Sequence, residues 1–378
     1  MASPGKISTL AASFHLLKAV MGAGSFALPW AFLQAGYVLG PLLLASVCAL
    51  SAHMHVTLVR CRREASSRAG YGKLEIGDAG ATAALMERHG GAPLMSYQEL
   101  AQSLLGAVGG RVVTACLLCA SIGVCSAYVV FITENVCSVM AGGCQAAGSR
   151  LLVTFPIMVT LALLALLRDH SRLSFTSLLG DVAILGGTVL VAVGALQADA
   201  VPPAPIPWAS PSTLPLSFGI IAFLYCTQFL TLPIEASMRH PEEYSFAVWG
   251  VFAGTAAANL CFGLLCLFTW RHTVHEIVIL NVASGVFTML AKLCLCIDLL
   301  FSYPLVLFPA VEMIEGHLCD RGLPPDSQTP WPRNVLRASL VVFTTVIALS
   351  IPHFALLTDI FAGLGQTLLG TSSEAHGC

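Results

Sequence analysis

Two clusters of residues that form helices poorly lie shortly before a proline, one in each half of the sequence. They are Gly22-Ala23-Gly24-Ser25, followed by Phe26 and Pro29, and Tyr225-Cys226-Thr227-Gln228, followed by Pro233. A helix that is interrupted inside a membrane leaves amides and carbonyls without helical partners, and these groups can bind a polar ligand or an ion. The clusters therefore predict one binding site made largely of main chain. The alternative is close helix packing through small residues.

Ionisable residues within the same apolar stretches are costly in lipid and indicate function. His15 precedes Gly22 by seven residues, which places both on nearly one helical face about 10 Å apart. Because an imidazole exchanges protons near neutral pH, His15 is a candidate proton carrier. The alternative is a buried neutral histidine that bonds a carbonyl.

A second candidate ion site lies in the eighth apolar stretch. Asp298 and Ser302 are four residues apart and share a helical face, so they could hold a proton or Na⁺. The alternative is a polar clamp between helices. Lys18 is either part of the same chemistry or the partner of a carboxylate, and Lys292 lies about 120° from the face of Asp298.

Two further polar features have structural explanations beside functional ones. Glu235 follows Pro233 near the expected inner end of a helix, where it could act as a gate or cap free amides. His53 and His55 are two residues apart and face different sides of a helix, so no metal site is expected there. No nucleophile with a neighbouring base occurs in an apolar stretch, so an enzyme is not expected.

The composition places these residues in a membrane. The chain has 378 residues, of which 56% are hydrophobic and 10% charged, and its mean hydropathy is +0.82. An average soluble domain has about 25% charged residues, so a soluble globular enzyme is excluded. The net charge of −2 offers no basic surface for nucleic acid. Fourteen cysteines, mostly in apolar runs, indicate no disulfide framework.

Apolar runs predict an all-α polytopic membrane protein with ten spans in a single domain, residues 1–378. The spans lie at about 8–33, 36–59, 111–139, 151–167, 174–196, 215–238, 246–268, 279–309, 335–351 and 353–370. They form two halves, at about 8–196 and 215–370, and the two helix-breaking clusters fall in the first span of each half. A polar segment at 60–110 is the largest expected cytosolic loop.

The distribution of basic residues predicts the orientation. With the N-terminus and the 60–110 loop in the cytosol, fourteen Lys and Arg lie inside and only two outside. An even number of spans returns the C-terminus to the cytosol. The Pro-rich connector around 201–215, which has no basic residue, then lies on the other side of the membrane.

Several motifs resemble one transporter family. They are the run from Phe14 to Gly24, Leu28-Pro29, Gly36, Pro233-Ile234-Glu235, Asn281 and the run from Leu295 to Leu305. These resemble the amino acid/auxin permease family, above all its proton-coupled and vacuolar amino-acid transporters. The resemblance implies a LeuT-like fold of two inverted five-helix repeats with broken helices 1 and 6. It also implies secondary transport of small neutral amino acids. This transport would be coupled to protons and would work by alternating access.

Two features depart from the family pattern. Thr269-Trp270-Arg271-His272 stands where the family usually has an aromatic-Phe-Gly-acid turn, which is expected to alter the outer gate. The family also has an eleventh span, whereas this sequence ends soon after the tenth predicted one. Ten helices suffice for the inverted repeat, so we still expect transport.

The implied substrate suggests a role for each predicted site residue. Amides near Gly22, Ala23, Gly24 and Ser25 would bind the carboxylate at the start of a half-helix. Carbonyls of Tyr225, Cys226 and Thr227 would accept from the ammonium, and the Tyr225, Gln228 and Phe26 side chains would border the substrate side chain. No cofactor is expected beyond H⁺, with Na⁺ as the other candidate coupling ion.

Other interpretations stay open at this point. One is a Na⁺-coupled amino-acid symporter, and another is a transporter-like nutrient sensor or signalling scaffold, for which the 60–110 segment would carry partner motifs. The expected partners are small amino acids and the lipid bilayer. The expected location is a lysosomal, vacuolar or plasma membrane, and the sequence does not indicate an oligomeric state.

The orientation can be tested by thiol labelling of single cysteines on a cysteine-depleted background. A membrane-impermeant reagent added from the non-cytosolic side should label positions within 197–214 and miss positions within 60–95. The background protein, which should stay unlabelled, is the control. Labelling of a cysteine at Ser67 from that side would contradict the orientation.

Overall fold

The structure is a computed structural model that describes residues 7–75, 97–140, 144, 147–166, 170–198, 205–283, 285–319, 331–351, 353–358 and 361. Within these ranges the regular structure is helical, apart from one isolated bridge between Ile7 and Met238. Residues 76–96 of the expected cytosolic loop and most of the tenth predicted span lie outside the described residues.

Eleven α-helices are described. They are α1 (Thr9–Val20), α2 (Leu28–Ala35), α3 (Leu39–Glu75), α4 (Tyr97–Val139), α5 (Ala147–Ala165), α6 (His170–Gln197), α7 (Leu214–Leu224), α8 (Thr231–Ser237), α9 (Tyr244–Trp270), α10 (Val286–Cys319) and α11 (Trp331–Ser350). Five short 3₁₀ helices connect some of them, at Ala23–Ala27, Gln228–Leu230, Pro241–Glu243, Arg271–Thr273 and Val278–Asn281.

Seven helical segments among the described residues are long and apolar enough to cross a membrane. They correspond to the first four predicted spans and to the seventh, eighth and ninth. Two shorter apolar helices, Ile184–Gln197 and Leu214–Leu224, fall in the fifth and sixth predicted spans. A multi-pass, all-helical membrane protein is therefore confirmed, while the full count of ten stays a prediction.

The first predicted helix break is present. Ser8 caps α1 by accepting a hydrogen bond from the Ala11 amide, and α1 ends at Val20. Met21 and Gly22 are extended, and the chain resumes as the 3₁₀ helix Ala23–Ala27, which leads directly into α2. Pro29 lies in the first turn of α2, where its missing N–H costs nothing.

The second break is also present. α7 ends at Leu224, and residues 225–227 are not helical. The 3₁₀ helix Gln228–Leu230 follows and leads into α8, which carries Pro233 in its first turn. Both interruptions therefore consist of an unwound segment, a short 3₁₀ helix and a new α-helix that starts around a proline.

The two broken segments lie side by side in opposite directions. α1 contacts α8, and α2 contacts α7. At one end the Ile7 amide donates to the Ser237 carbonyl (2.9 Å). At the other end the Ser210 amide donates to the Ala35 carbonyl (2.7 Å). This antiparallel pairing brings the two breaks to the same depth.

Longer helices surround this pair. α9 packs against α1, α2 and α3, while α10 packs against α4 and α6. Phe26, in the first 3₁₀ helix, meets the edges of Phe131 from α4 and Phe262 from α9, with ring centres 6.2 and 6.0 Å away. Aromatic packing of this kind fixes the 3₁₀ helix against the core.

Several predicted boundaries were wrong. α3 continues to Glu75, well past the predicted end at 59, and α4 begins at Tyr97 rather than 111. Part of the expected loop is thus helical, because polar residues extend these helices beyond their apolar portions. The eighth span begins at Val286 rather than 279, since Val278–Asn281 is a separate 3₁₀ helix.

The expectation of no disulfide was also wrong. Cys137 and Cys144 form a disulfide in the connection between α4 and α5, with their Cα atoms 5.3 Å apart. Cys144 follows Cys137 by only seven positions, and a Cα–Cα distance of 5.3 Å is within the range for a disulfide.

The end of α2 offers a test of how the first broken segment packs against the residues that precede α7. Gly36 has φ of +98°, and a Cβ there would lie 2.7 Å from backbone atoms of Trp208 and Ala209. We expect Gly36→Ala to destabilise the protein by about 2–4 kcal/mol, through strain and overlap. The lower midpoint should appear in thermal unfolding of the detergent-purified protein. Gly250→Ala on α9 is the control, because a Cβ added there meets no other atom within 4 Å. It should leave the midpoint unchanged or raise it slightly.

Candidate functional site

A cavity of about 50 Å³ lies where the two helix breaks meet. Its lining comprises Ala19, Val20, Gly22, Ala23 and Gly24 from the first broken segment, Phe223, Leu224, Cys226, Thr227 and Leu230 from the second, Val124 and Tyr128 from α4, and Val306 from α10. A single water needs about 10–15 Å³ of such space, so the cavity suits a small ligand.

The first break supplies hydrogen-bond donors to the cavity. The Gly22 carbonyl accepts from the Ser25 amide (3.1 Å), which closes the first turn of the 3₁₀ helix. The first amides of a helix have no acceptor inside it, so those of Ala23 and Gly24 remain available to bind a ligand. The helical segment that starts here runs to Ala35, and its dipole favours an anionic group at this end.

The second break is held by side chains of α3. The Ser51 hydroxyl donates to the Tyr225 carbonyl (3.1 Å) and accepts from the Gln228 amide group (3.2 Å). His55 bonds the Ser51 carbonyl through Nδ1 (2.8 Å) and the Thr227 hydroxyl through Nε2 (3.1 Å). Because a carbonyl can only accept, Nδ1 carries the proton, and Nε2 of the neutral ring accepts from Thr227.

Five of the nine predicted binding residues line the cavity: Gly22, Ala23, Gly24, Cys226 and Thr227. The other four are buried elsewhere, and their part in binding stays a prediction. The hydroxyl of Ser25 has no hydrogen-bond partner among the described residues. The Phe26 ring points into the aromatic core, and Gln228 bonds Ser51.

Tyr225 is turned away from the cavity. Its ring stacks near Phe252 of α9, with ring centres 5.5 Å apart. Its carbonyl already accepts from the Ser51 hydroxyl and from the Thr227 amide (2.9 Å). A carbonyl oxygen has two lone pairs, so neither remains for a substrate ammonium.

Among the polar residues of this site, sequence reasoning missed three. Tyr128 lines the cavity from α4, and Ser51 and His55 hold the second break. The spacing of Ser51 and His55 places them on one helical face, which is the signal that could have found them. Nothing local to Tyr128 marks it, because its place depends on how α4 packs against the breaks.

Beside the cavity, the predicted ion residues Asp298 and Ser302 come together. The Ser302 hydroxyl donates to the Asp298 carboxylate (3.4 Å), as their shared face predicts. The Lys18 ammonium lies 3.4 Å from the same carboxylate, which joins α1 to α10. Asp298 is 2% exposed, so this ion pair is buried.

His15 lies apart from this cluster. It is exposed on α1 and does not line the cavity, although it is one turn before Lys18. His53 is exposed on α3 while His55 is buried, which confirms that the two face different sides. Among the described residues, no group of three metal-binding side chains occurs.

Glu235 lies at the far end of the second broken segment and pairs with two arginines of α3. Its carboxylate is bound by Arg62 and by Arg63 (3.0 Å). Arg62 also donates to the Leu232 carbonyl (3.3 Å), and Arg63 to the Pro241 carbonyl (2.6 Å). The side chain of Glu235 thus ties α8 to α3 instead of capping free amides.

Comparison with known proteins identifies the family. The family described as transmembrane amino acid transporter protein matches residues 5–370. The chain belongs to this family. Its members are transporters and not enzymes, which agrees with the prediction that the chain is not an enzyme.

Curated relatives of the transmembrane amino acid transporter family extend over most of the chain. Amino acid transporter AVT3A of Arabidopsis thaliana is 24% identical over 345 residues, which cover 89% of this chain and 73% of the relative. Vacuolar amino acid transporter 3 of Schizosaccharomyces pombe is 27% identical over 92% of this chain and 49% of the relative. The vesicular inhibitory amino acid transporter of Mus musculus is 26% identical over 95% and 66%. The chain thus spans about half the length of the yeast relative.

Gly24 gives a direct test of the cavity. A Cβ there would lie 3.2 Å from side-chain atoms of Phe223 and Leu224 and 3.3 Å from the Leu224 backbone. Gly24→Val should therefore fill the cavity and push the two breaks apart. We expect binding of radiolabelled small amino acids to weaken at least about tenfold, or about 1.4 kcal/mol.

Gly186→Val on α6, where the added atoms meet open space, is the matched control and should bind normally. Unchanged affinity in a well-folded Gly24→Val protein would show that ligand does not bind between the breaks.

Proposed function

We propose that the protein is a secondary active transporter of small neutral amino acids, coupled to protons and working by alternating access. The observation that carries the proposal is the cavity formed where both helix breaks meet. Membership of a family of amino acid transporters supports it. Transporters of this kind bind substrate at the bilayer midplane between discontinuous helices.

The chemistry of the two breaks suits a zwitterion. The carboxylate would bind the amides of Ala23 and Gly24, where the helix dipole also favours negative charge. The ammonium would lie toward the second break, where the Cys226 and Thr227 segment offers oxygen atoms. Both charged groups need such partners, because stripping water from an unmatched charge is prohibitively costly.

The size and lining of the cavity support a preference for small neutral substrates. About 50 Å³ is enclosed mainly by alanine, glycine, valine and leucine, with Tyr128 and Thr227 as polar side chains. No charged side chain lines the cavity among the described residues, so a substrate with a charged side chain would have no counter-charge.

Proton coupling is proposed to involve His15 and the Asp298–Ser302 pair. The support for Asp298 is its burial beside the cavity lining, since Lys18, its partner, directly precedes the cavity residues Ala19 and Val20. The support for His15 is its position one turn from Lys18 on the same broken segment.

Alternating access is proposed to follow the LeuT-like pattern of two inverted five-helix repeats. The antiparallel pairing of α1 with α8 and of α2 with α7 supports this pattern. Glu235 would act as the inner gate, because its pairing with Arg62 and Arg63 must change if α8 moves away from α3. The vacuolar and vesicular relatives support a lysosomal or vacuolar membrane, with the N-terminus in the cytosol.

The test is uptake into proteoliposomes with an imposed pH gradient and a panel of radiolabelled amino acids. We expect small neutral amino acids to accumulate against their gradient, and His15→Ala to abolish proton-driven accumulation without loss of folding. His53→Ala, another exposed histidine in a spanning helix, should accumulate substrate normally.

Two outcomes would count against this proposal. If no amino acid in the panel accumulates in the proteoliposomes, the proposal of amino-acid transport is wrong. Unchanged uptake and pH dependence in His15→Ala would remove His15 from the proton path and leave Asp298 as the candidate.

A further inference from the structure

The Asp298 carboxylate and the Ser302 hydroxyl together form a position that favours a cation. The Asp298 carboxylate is buried between α1 and α10, and the Ser302 hydroxyl lies 3.4 Å from it. The last turn of α1, which carries Lys18, packs against this position. A carboxylate and a hydroxyl are oxygen ligands of the kind that hard inorganic cations prefer.

The chain itself supplies the positive charge at this position. Lys18 is in the last turn of α1, where the helix dipole favours a cation, and its ammonium is 3.4 Å from Asp298. The Lys18 side chain is only 12% exposed. An ionised carboxylate that is buried without a partner is strongly unfavourable, so a positive charge beside Asp298 stabilises its ionised form.

This position is adjacent to the cavity. Ala19 and Val20, the residues directly after Lys18, line the cavity. Tyr128 lines the cavity from α4 and lies near Asp298. A change in the charge beside Asp298 would therefore act on the walls of the cavity.

We propose that the Lys18 ammonium occupies the cation position beside Asp298 and Ser302 as a tethered substitute for an inorganic cation. No Na⁺ then binds beside Asp298 in the native protein, and removal of the Lys18 side chain opens a site for a monovalent cation. For the choice of the ion that drives transport, this inference rests on the proposed function and favours protons over Na⁺. The cation position itself does not depend on transport.

The surrounding ionisable groups do not replace Lys18 in this role. His15 lies one turn earlier on α1 and is exposed. From α4, Tyr128 lies near Asp298, and Cys125 lies 4.0 Å from the Tyr303 carbonyl on α10; neither residue is a cation. Lys292 lies on α10 itself, but its ammonium donates to the Ser138 hydroxyl (3.2 Å).

The test measures thermal unfolding of the purified full chain in Na⁺ and in N-methyl-D-glucamine, a cation too large for the site. The wild-type midpoint should be equal in both salts. Lys18→Ala should unfold at a lower temperature in N-methyl-D-glucamine, and Na⁺ should raise its midpoint by several degrees with a saturable dependence on concentration.

Three further variants separate charge compensation from side-chain packing. Lys18→Arg retains the cation and should be insensitive to Na⁺. The double variant Lys18→Ala with Asp298→Asn has no charge to compensate and should also be insensitive. Lys292→Ala removes a buried lysine from the same helix as Asp298, and its midpoint should be equal in both salts.

Two outcomes would overturn the proposal: a saturable rise of the wild-type midpoint with Na⁺, or a folded Lys18→Ala protein that gains nothing from Na⁺. If Lys18→Ala alone does not fold, the proposal requires that Na⁺ does not change the wild-type midpoint and that the double variant folds. A double variant that also fails to fold overturns the proposal. Unfolding is measured without substrate. A failure of amino-acid uptake would therefore contradict the proposed transport function but would not affect the conclusion about the cation position beside Asp298.

Discussion

Within a lipid bilayer, each backbone amide and carbonyl that leaves a helix must find another partner, because no water is present to replace the lost hydrogen bond. This protein interrupts two of its helices, and the rest of the structure serves that constraint. Ser51 and His55 of α3 bind the second break, and the break in α1 folds back through the bond from the Ser25 amide to the Gly22 carbonyl. The backbone amides and carbonyls that remain without partners lie around one small cavity, where a polar ligand can form hydrogen bonds with them.

Buried charge obeys the same constraint and connects the broken helices to their surroundings. Lys18 joins the first broken segment to α10 through Asp298, and Glu235 joins the second to α3 through Arg62 and Arg63. Each pair links a segment with few residues to a long helix. Movement of either segment would separate charges that are costly to leave unpaired in a low-dielectric interior. These two pairs are thus the places where movement of a broken segment and a change of charge are physically linked.

The sequence predicted the helix breaks well, because their cause is local. Glycine, small polar residues and a proline within a few positions weaken a helix wherever they occur. The direction of the side chains could not be predicted in the same way. Phe26 and Tyr225 point away from the cavity because aromatic partners on α4 and α9 hold them, and those partners are distant in sequence. The pairing of Lys18 with Asp298 was open for the same reason, since the two are separated by 280 positions of chain.

A site formed mainly by main-chain groups has a consequence for specificity. The amides and carbonyls that would bind the common carboxylate and ammonium are independent of residue type, so substitutions elsewhere can preserve them. This agrees with relatives that share only 24–27% identity yet are all named as amino acid transporters. Selection among amino acids would then come from the few side chains on the cavity wall. Tyr128, Val124 and Val306 approach from helices outside the breaks, so they can change in size without disturbing the unwound backbone. A larger substrate would therefore require smaller residues on α4 or α10 before any change in the breaks themselves.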